Sequence, residues 1–187
     1  MVAIVGKISS GKTTLLNYFQ KLGYKTFNSD IFVNQLYNNS EFCFNARKKI
    51  SYDIFTNDNL ISKIKIKNII FKDTNLLFEL ETLVFEEIYK HLKENKYDFV
   101  EIPILFNAPK KVIKLFNEIF FLNNNFFKIE KNNVIQERIK KLLNTLNSFD
   151  WDSYETFFEI PIYNVVFSKN KNNTKCIKIQ IKKRKKY

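Results

Sequence analysis

The stretch Gly6-Lys7-Ile8-Ser9-Ser10-Gly11-Lys12-Thr13 follows directly on an apolar run, Val2 to Val5, and fits the pattern G-x-x-x-x-G-K-[ST]. A turn of this kind between a buried strand and a helix aims successive backbone N–H groups at one point, and the helix N-terminus adds positive partial charge there. Lys12 contributes a cation and Thr13 a hydroxyl suited to Mg²⁺. The segment therefore reads as a phosphate-binding loop. The chain has only three glycines and two of them lie here, so a chance match is rarer than in a glycine-rich protein. Downstream, Leu15, Leu16, Phe19 and Leu22 recur at helical spacing and the pattern stops at Gly23, so strand, loop and helix come in the required order.

With 187 residues, 45% apolar and 16% aromatic, the chain suits one globular domain with a helical insert. No apolar run approaches the roughly 20 residues that span a bilayer, and the N-terminus carries no signal-peptide pattern, so a cytoplasmic protein with no membrane partner is expected. Cys43 and Cys176 have no C-x-x-C spacing, which argues against disulfides and zinc, and His91 reads as a solvated helix residue. The formal charge of +12 is concentrated, with seven of the positive residues between Lys175 and Lys186 and no acidic residue among them. The basic tail 182–187 reads as solvated, with weak contact to RNA or an acidic surface as its alternative.

Tyr24 to Phe27 reads as a second strand, followed by Asn28-Ser29-Asp30 and a helix from near Ile31 toward Tyr37. Glu41 to Asn95 reads as helical without an intervening strand, clearest in Leu76, Leu77, Leu80, Leu83, Val84, Ile88 and Leu92. Asp98 to Pro103 and Ile119 to Leu122 read as strands flanking a Lys110 to Phe116 helix. Two more helices are expected over Lys128 to Leu146 and Trp151 to Phe158, with strands at Asn164 to Phe167 and Lys175 to Ile181.

Several separated segments together resemble the dephospho-coenzyme A kinase family. Ala3 to Thr14 is similar to its phosphate loop, and Gly23-Tyr24-Lys25-Thr26-Phe27-Asn28-Ser29-Asp30-Ile31 to its Asp-Ala-Asp-type segment. Ile66 to Phe71 resembles its Leu-Arg-x-x-Ile-Phe segment, Glu101-Ile102-Pro103-Ile104-Leu105-Phe106-Asn107 its Asp-x-Pro-Leu-Leu-Phe-Glu signature, and Gln136-Glu137-Arg138 its lid arginine. The chain departs from the family at Lys7 and Ser9 (glycines), Glu101 (aspartate), Asn107 (glutamate), Glu81-Thr82 (His-Pro) and Leu142 (arginine).

The resemblance implies an α/β, three-layer P-loop NTPase fold with a central parallel sheet. It places a substrate-binding helical insert at about 41–95 and a lid at about 126–148. It also implies ATP-dependent, Mg²⁺-dependent phosphorylation of the ribose 3′-hydroxyl of dephospho-coenzyme A. Gly6, Ile8, Ser9, Ser10, Gly11, Lys12, Thr13 and Thr14 would hold ATP, with Thr13 on the metal and Glu101 reaching it through water. Asp30, Pro103 and Leu105 would meet the acceptor, and Lys12, Asp30 and Arg138 would be catalytic. Two readings compete at two of these positions. Asp30 before a helix fits an N-cap as well as an acceptor-side base, and Glu101 fits a merely solvated strand-end carboxylate as well as a metal-side group. Another small-molecule acceptor and a catalytically weakened nucleotide-binding protein are the alternative functions.

Overall fold

The computed structural model describes residues 1–6, 10–70, 73, 75–102, 105–122, 161–170 and 173–183; positions 106, 164, 166–170 and 173–183 are described by backbone alone. Ile8, Ser9, Pro103, Arg138, the expected lid 126–148, the helices expected at 128–146 and 151–158, and tail residues 184–187 lie outside the described residues.

The first strand, β1 (Val2–Gly6), leads into α1 (Lys12–Lys21), then β2 (Thr26–Asn28), α2 (Ser29–Tyr37) and α3 (Ser40–Arg47). Next come α4 (Lys63–Ile70), α5 (Asn75–Glu94), β3 (Phe99–Glu101), a 3₁₀ turn (Leu105–Asn107) and α6 (Lys110–Ile113). The chain then adds β4 (Glu118–Leu122), β5 (Ile162–Asn170) and β6 (Asn173–Lys183). The sheet order is β2-β3-β1-β4-β5-β6, and every pairing is parallel except the last.

Alternation along β1 divides the interior in two, since successive side chains of a strand point to opposite faces. Ile4 packs with Leu15, Leu16, Phe19, Phe120, Leu122 and Val165 on the α1 face. There the Phe19 and Phe99 rings stack at 3.8 Å between centroids. Ala3 and Val5 join the larger cluster on the opposite face, where α2 to α6 contribute. Helix, sheet, helix is the three-layer arrangement expected from the sequence.

Helix α1 ends where Gly23, at φ +89°, donates to Gln20 O and Tyr24 donates to Phe19 O, a left-handed cap that glycine adopts without strain. Leu22 falls outside the buried stripe and is 56% exposed, because the helix has already stopped. On α5, Leu76, Leu80, Val84, Ile88 and Leu92 are buried at steps of four.

The structure corrects several sequence expectations. The helical reading of 41–95 is broken between α3 and α4, where Phe55 and Ile61 form a single antiparallel bridge and Ile50, Ile54, Phe55 and Ile61 are buried in an irregular segment. Those apolar residues pack as loop core, so their spacing was not a helical stripe. Strand β2 lies at 26–28, and α2 begins at Ser29, so Asp30 sits inside the first turn. Helix α6 stops at Ile113, short of Phe116. His91 is half-buried, with its ring 5.1 Å from Phe27 and 4.7 Å from Phe32, and Nε2 2.8 Å from the Tyr97 hydroxyl. Among the described residues no helix is long and apolar enough to cross a membrane.

Candidate active site

The carboxyl ends of β1, β2 and β3 are adjacent in the sheet, and of the expected site residues Lys12, Thr13, Asp30 and Glu101 lie within reach of one another there. Gly11 takes φ +95° at the entrance to α1, a left-handed conformation that opens the loop into the helix. Lys12 follows as the first helical residue. It is largely buried, and its Nζ donates to the Gly6 carbonyl at 3.2 Å, turning back to the end of β1. Gly6 itself is sterically required. A Cβ there would sit 2.4 Å from the Leu122 carbonyl oxygen and 2.9 Å from Ser10 Oγ. Ser10 is fully buried, and its hydroxyl has no hydrogen-bond partner among the described residues. Thr13 and Thr14 are exposed in the first turn of α1.

Glu101 ends β3 and is only 1% exposed. Its carboxylate accepts from Thr13 Oγ1 at 3.2 and 3.3 Å and from Asn28 Nδ2 at 2.8 Å. Burial pushes the Glu101 carboxyl above its ordinary range, the Lys12 charge opposes that shift, and the Asp30 charge adds to it. Burial likewise pushes the Lys12 ammonium down, while Glu101 and Asp30 hold it up. A lysine and a carboxylate withdrawn from water and placed within each other's field form a partly compensated pair. The reading of Glu101 as a solvated strand-end carboxylate does not survive this burial.

Asp30 is exposed in the first turn of α2, and its charge reaches both Lys12 and Glu101. The N-cap of α2 is Asn28, whose Oδ1 accepts from the Ile31 N–H at 3.0 Å. The capping explanation for Asp30 therefore falls to a different residue. Leu105, expected to meet the acceptor, is fully buried in the larger core, so its contribution is to packing.

The donor set fits a small hard cation. Thr13 supplies a hydroxyl oxygen and Glu101 carboxylate oxygens side by side, with no sulfur or imidazole among the side chains that bond them, which suits Mg²⁺ held by few protein oxygens and by substrate phosphates. The buried Ser10 hydroxyl, without a partner among the described residues just ahead of α1, suits a group with acceptor oxygens.

A model of the dephospho-CoA kinase family matches residues 1–147. The chain belongs to the dephospho-CoA kinase family. A dephospho-CoA kinase of Buchnera aphidicola subsp. Acyrthosiphon pisum is 33% identical over 94 residues, covering 50% of this chain and 43% of the relative. One of Rickettsia bellii is 28% identical over 176 residues, covering 86% and 79%. The chain spans about half the length of the first curated relatives it matches: 43%, 61% and 56%. Dephospho-CoA kinase from Campylobacter jejuni superposes with a TM-score of 0.52 at 19% identity, covering 87% of this chain and 86% of that one, which establishes the fold.

Two contacts were not assigned from the sequence. Asn28 was visible only as part of a family-like segment. The Asn107 Nδ2 bond to Glu81 Oε2, 3.2 Å, joins two positions where the chain departs from the family. Their joint departure was the available signal.

Proposed function

We propose that the protein transfers the γ-phosphoryl group of ATP to the ribose 3′-hydroxyl of dephospho-coenzyme A, giving ADP and coenzyme A. The observation that carries this reading is the convergence of Lys12, Thr13, Glu101 and Asp30 at one edge of the sheet. Membership of the family supports the choice of acceptor.

In this reading the loop from Gly6 to Thr14 wraps the phosphates, and Lys12 neutralises charge between the β and γ groups. Asp30 accepts the hydroxyl proton as that oxygen bonds to the γ phosphorus. The bond from phosphorus to the bridging oxygen breaks, and its electrons leave on ADP. Thr13 and Glu101, the latter through water, would hold Mg²⁺, which when bound would neutralise charge on the phosphate oxygens. Arg138 is proposed to reach the transferring oxygens from the lid, because a planar guanidinium matches them in pairs. The helices over 41–95 are proposed to bind the rest of the acceptor in the cytoplasm.

The test is a coupled ADP-release assay with ATP, Mg²⁺ and dephospho-coenzyme A, with the product confirmed by mass. Wild type should form coenzyme A, and Lys12→Ala should lose about 10²–10³-fold in turnover. Turnover with another acceptor alone would replace the substrate assignment, and bound nucleotide without transfer would remove the enzymatic one.

A further inference from the structure

Asn28 is the last residue of β2, and both ends of its carboxamide are engaged. Its Oδ1 accepts the Ile31 N–H at 3.0 Å, and its Nδ2 donates to Glu101 Oε2 at 2.8 Å. An N–H can only donate and a carboxylate can only accept, so these two partners fix which way the amide faces. The strand register sets Asn28 beside Glu101 on adjacent parallel strands, so the contact is built into the sheet. Among the described residues, the side chains that donate to the Glu101 carboxylate are those of Asn28 and Thr13.

We infer that Asn28 is a positioning residue for phosphoryl transfer: its amide fixes the Glu101 carboxylate against Thr13, while the same side chain starts the helix that carries Asp30. The inference rests on the kinase reading above. One carboxamide thereby ties the metal-side oxygens to the acceptor-side carboxylate, although neither group touches the other. A fluctuation that moved α2 away from β3 would have to break one of its two bonds.

The substitution Asn28→Asp separates helix capping from positioning. Asp and Asn cap helices equally well, so Asn28→Asp keeps the start of α2. It replaces the donor to Glu101 with a second acceptor; the Asp-Ala-Asp segment that this stretch resembles has aspartate there opposite a shorter aspartate, whereas opposite the longer Glu101 two acceptors at hydrogen-bond separation repel.

The experiment has two arms. The first measures thermal unfolding of Asn28→Asp, Glu101→Gln and the double variant without nucleotide or metal. Asn28→Asp is expected to lower the melting temperature when Glu101 is present. In the Glu101→Gln background it should lower it much less, because the introduced amide restores a donor. This arm reads the contact between positions 28 and 101 whether or not the protein is a kinase.

The second arm measures steady-state kinetics with dephospho-coenzyme A, and Mn²⁺ binding by paramagnetic resonance in the presence of a non-hydrolysable ATP analogue. Asn28→Asp should lower kcat about 10–100-fold, change KM for dephospho-coenzyme A by less than about threefold, and shift Mn²⁺ affinity several-fold. A purely structural role would not produce that split. Additive melting effects in the first arm would overturn the inference, as would an Asn28→Asp protein that matches wild type in Mn²⁺ affinity. Coupling and shifted Mn²⁺ affinity in a protein that does not turn over dephospho-coenzyme A would uphold the positioning role and remove only the acceptor.

Discussion

Thr13 Oγ1 lies 3.2 Å from Oε2 and 3.3 Å from Oε1 of Glu101, although 88 positions separate the two residues. The pairing exists because β1 and β3 are parallel neighbours, so the loop leaving one strand and the end of the other meet at the same edge. Brought together there, a hydroxyl and a carboxylate offer the oxygens a divalent cation needs. Thr13→Val keeps the shape of the side chain and removes the hydroxyl. Turnover should fall about 10–100-fold, and the Mg²⁺ concentration at half-maximal rate should rise. A Mg²⁺ titration of kcat checks both.

Gly6 and Gly23 both take positive φ, yet the structure separates their roles. At Gly23 a Cβ would meet nothing within 4 Å, so Gly23→Ala should cost only the backbone term, about 1–2 kcal/mol. At Gly6 the new Cβ would collide with the Leu122 carbonyl, a backbone atom of the neighbouring strand, and with buried Ser10. Gly6→Ala should add an overpacking cost of about 1–3 kcal/mol and abolish nucleotide binding. Urea unfolding and ATP titration of the two variants give the comparison, and Gly23→Ala should still bind ATP.

Much of this was written in the chain itself. A strand, a glycine loop and a helix in immediate succession depend only on local residues, and β3 and β4 stand out as short apolar runs next to helices. Glu101 was identifiable as a strand-end carboxylate, but its burial was not, because that depends on β2 and α1 covering it. Asn28 eluded the sequence for a similar reason. The cap reading went to Asp30, two residues along, and the second bond of Asn28 crosses 73 positions to a neighbouring strand. The segment between α3 and α4 misled because its buried isoleucines were weighed as part of a helical stripe over the turn cluster Thr56-Asn57-Asp58-Asn59, where Asn59 takes φ +60°.

Asp30 occupies the first turn of α2 without capping it, so its removal tests chemistry with little structural penalty. Asp30→Asn should lose about 10²–10⁴-fold in turnover if it accepts the hydroxyl proton. Stability should fall by no more than about 1 kcal/mol, the contribution of an acidic group near a helix N-terminus. Rapid-quench measurement of the transfer step, alongside thermal unfolding, separates the two effects. Near-normal transfer would move the base role away from this residue.

Glu81 is half-buried on α5, its charge reaches Tyr37, and Asn107 donates to its carboxylate. Burial pushes its carboxyl above the ordinary value of 4.5, with the Asn107 bond opposing, and burial with the Glu81 charge pushes the Tyr37 hydroxyl up to about 12. A carboxyl whose pKa is raised by folding binds its proton more tightly in the folded than in the unfolded state. Its stabilising contribution is therefore complete below the unfolded value and is lost as pH rises through the folded one. Glu81→Gln keeps an oxygen for Asn107 and has no proton to lose. Its melting temperature should gain on wild type as pH is raised from about 4 to neutrality, with the two converging below the unfolded carboxyl value. A difference that stayed constant over that range would mean that the Glu81 charge is fully compensated in the folded protein.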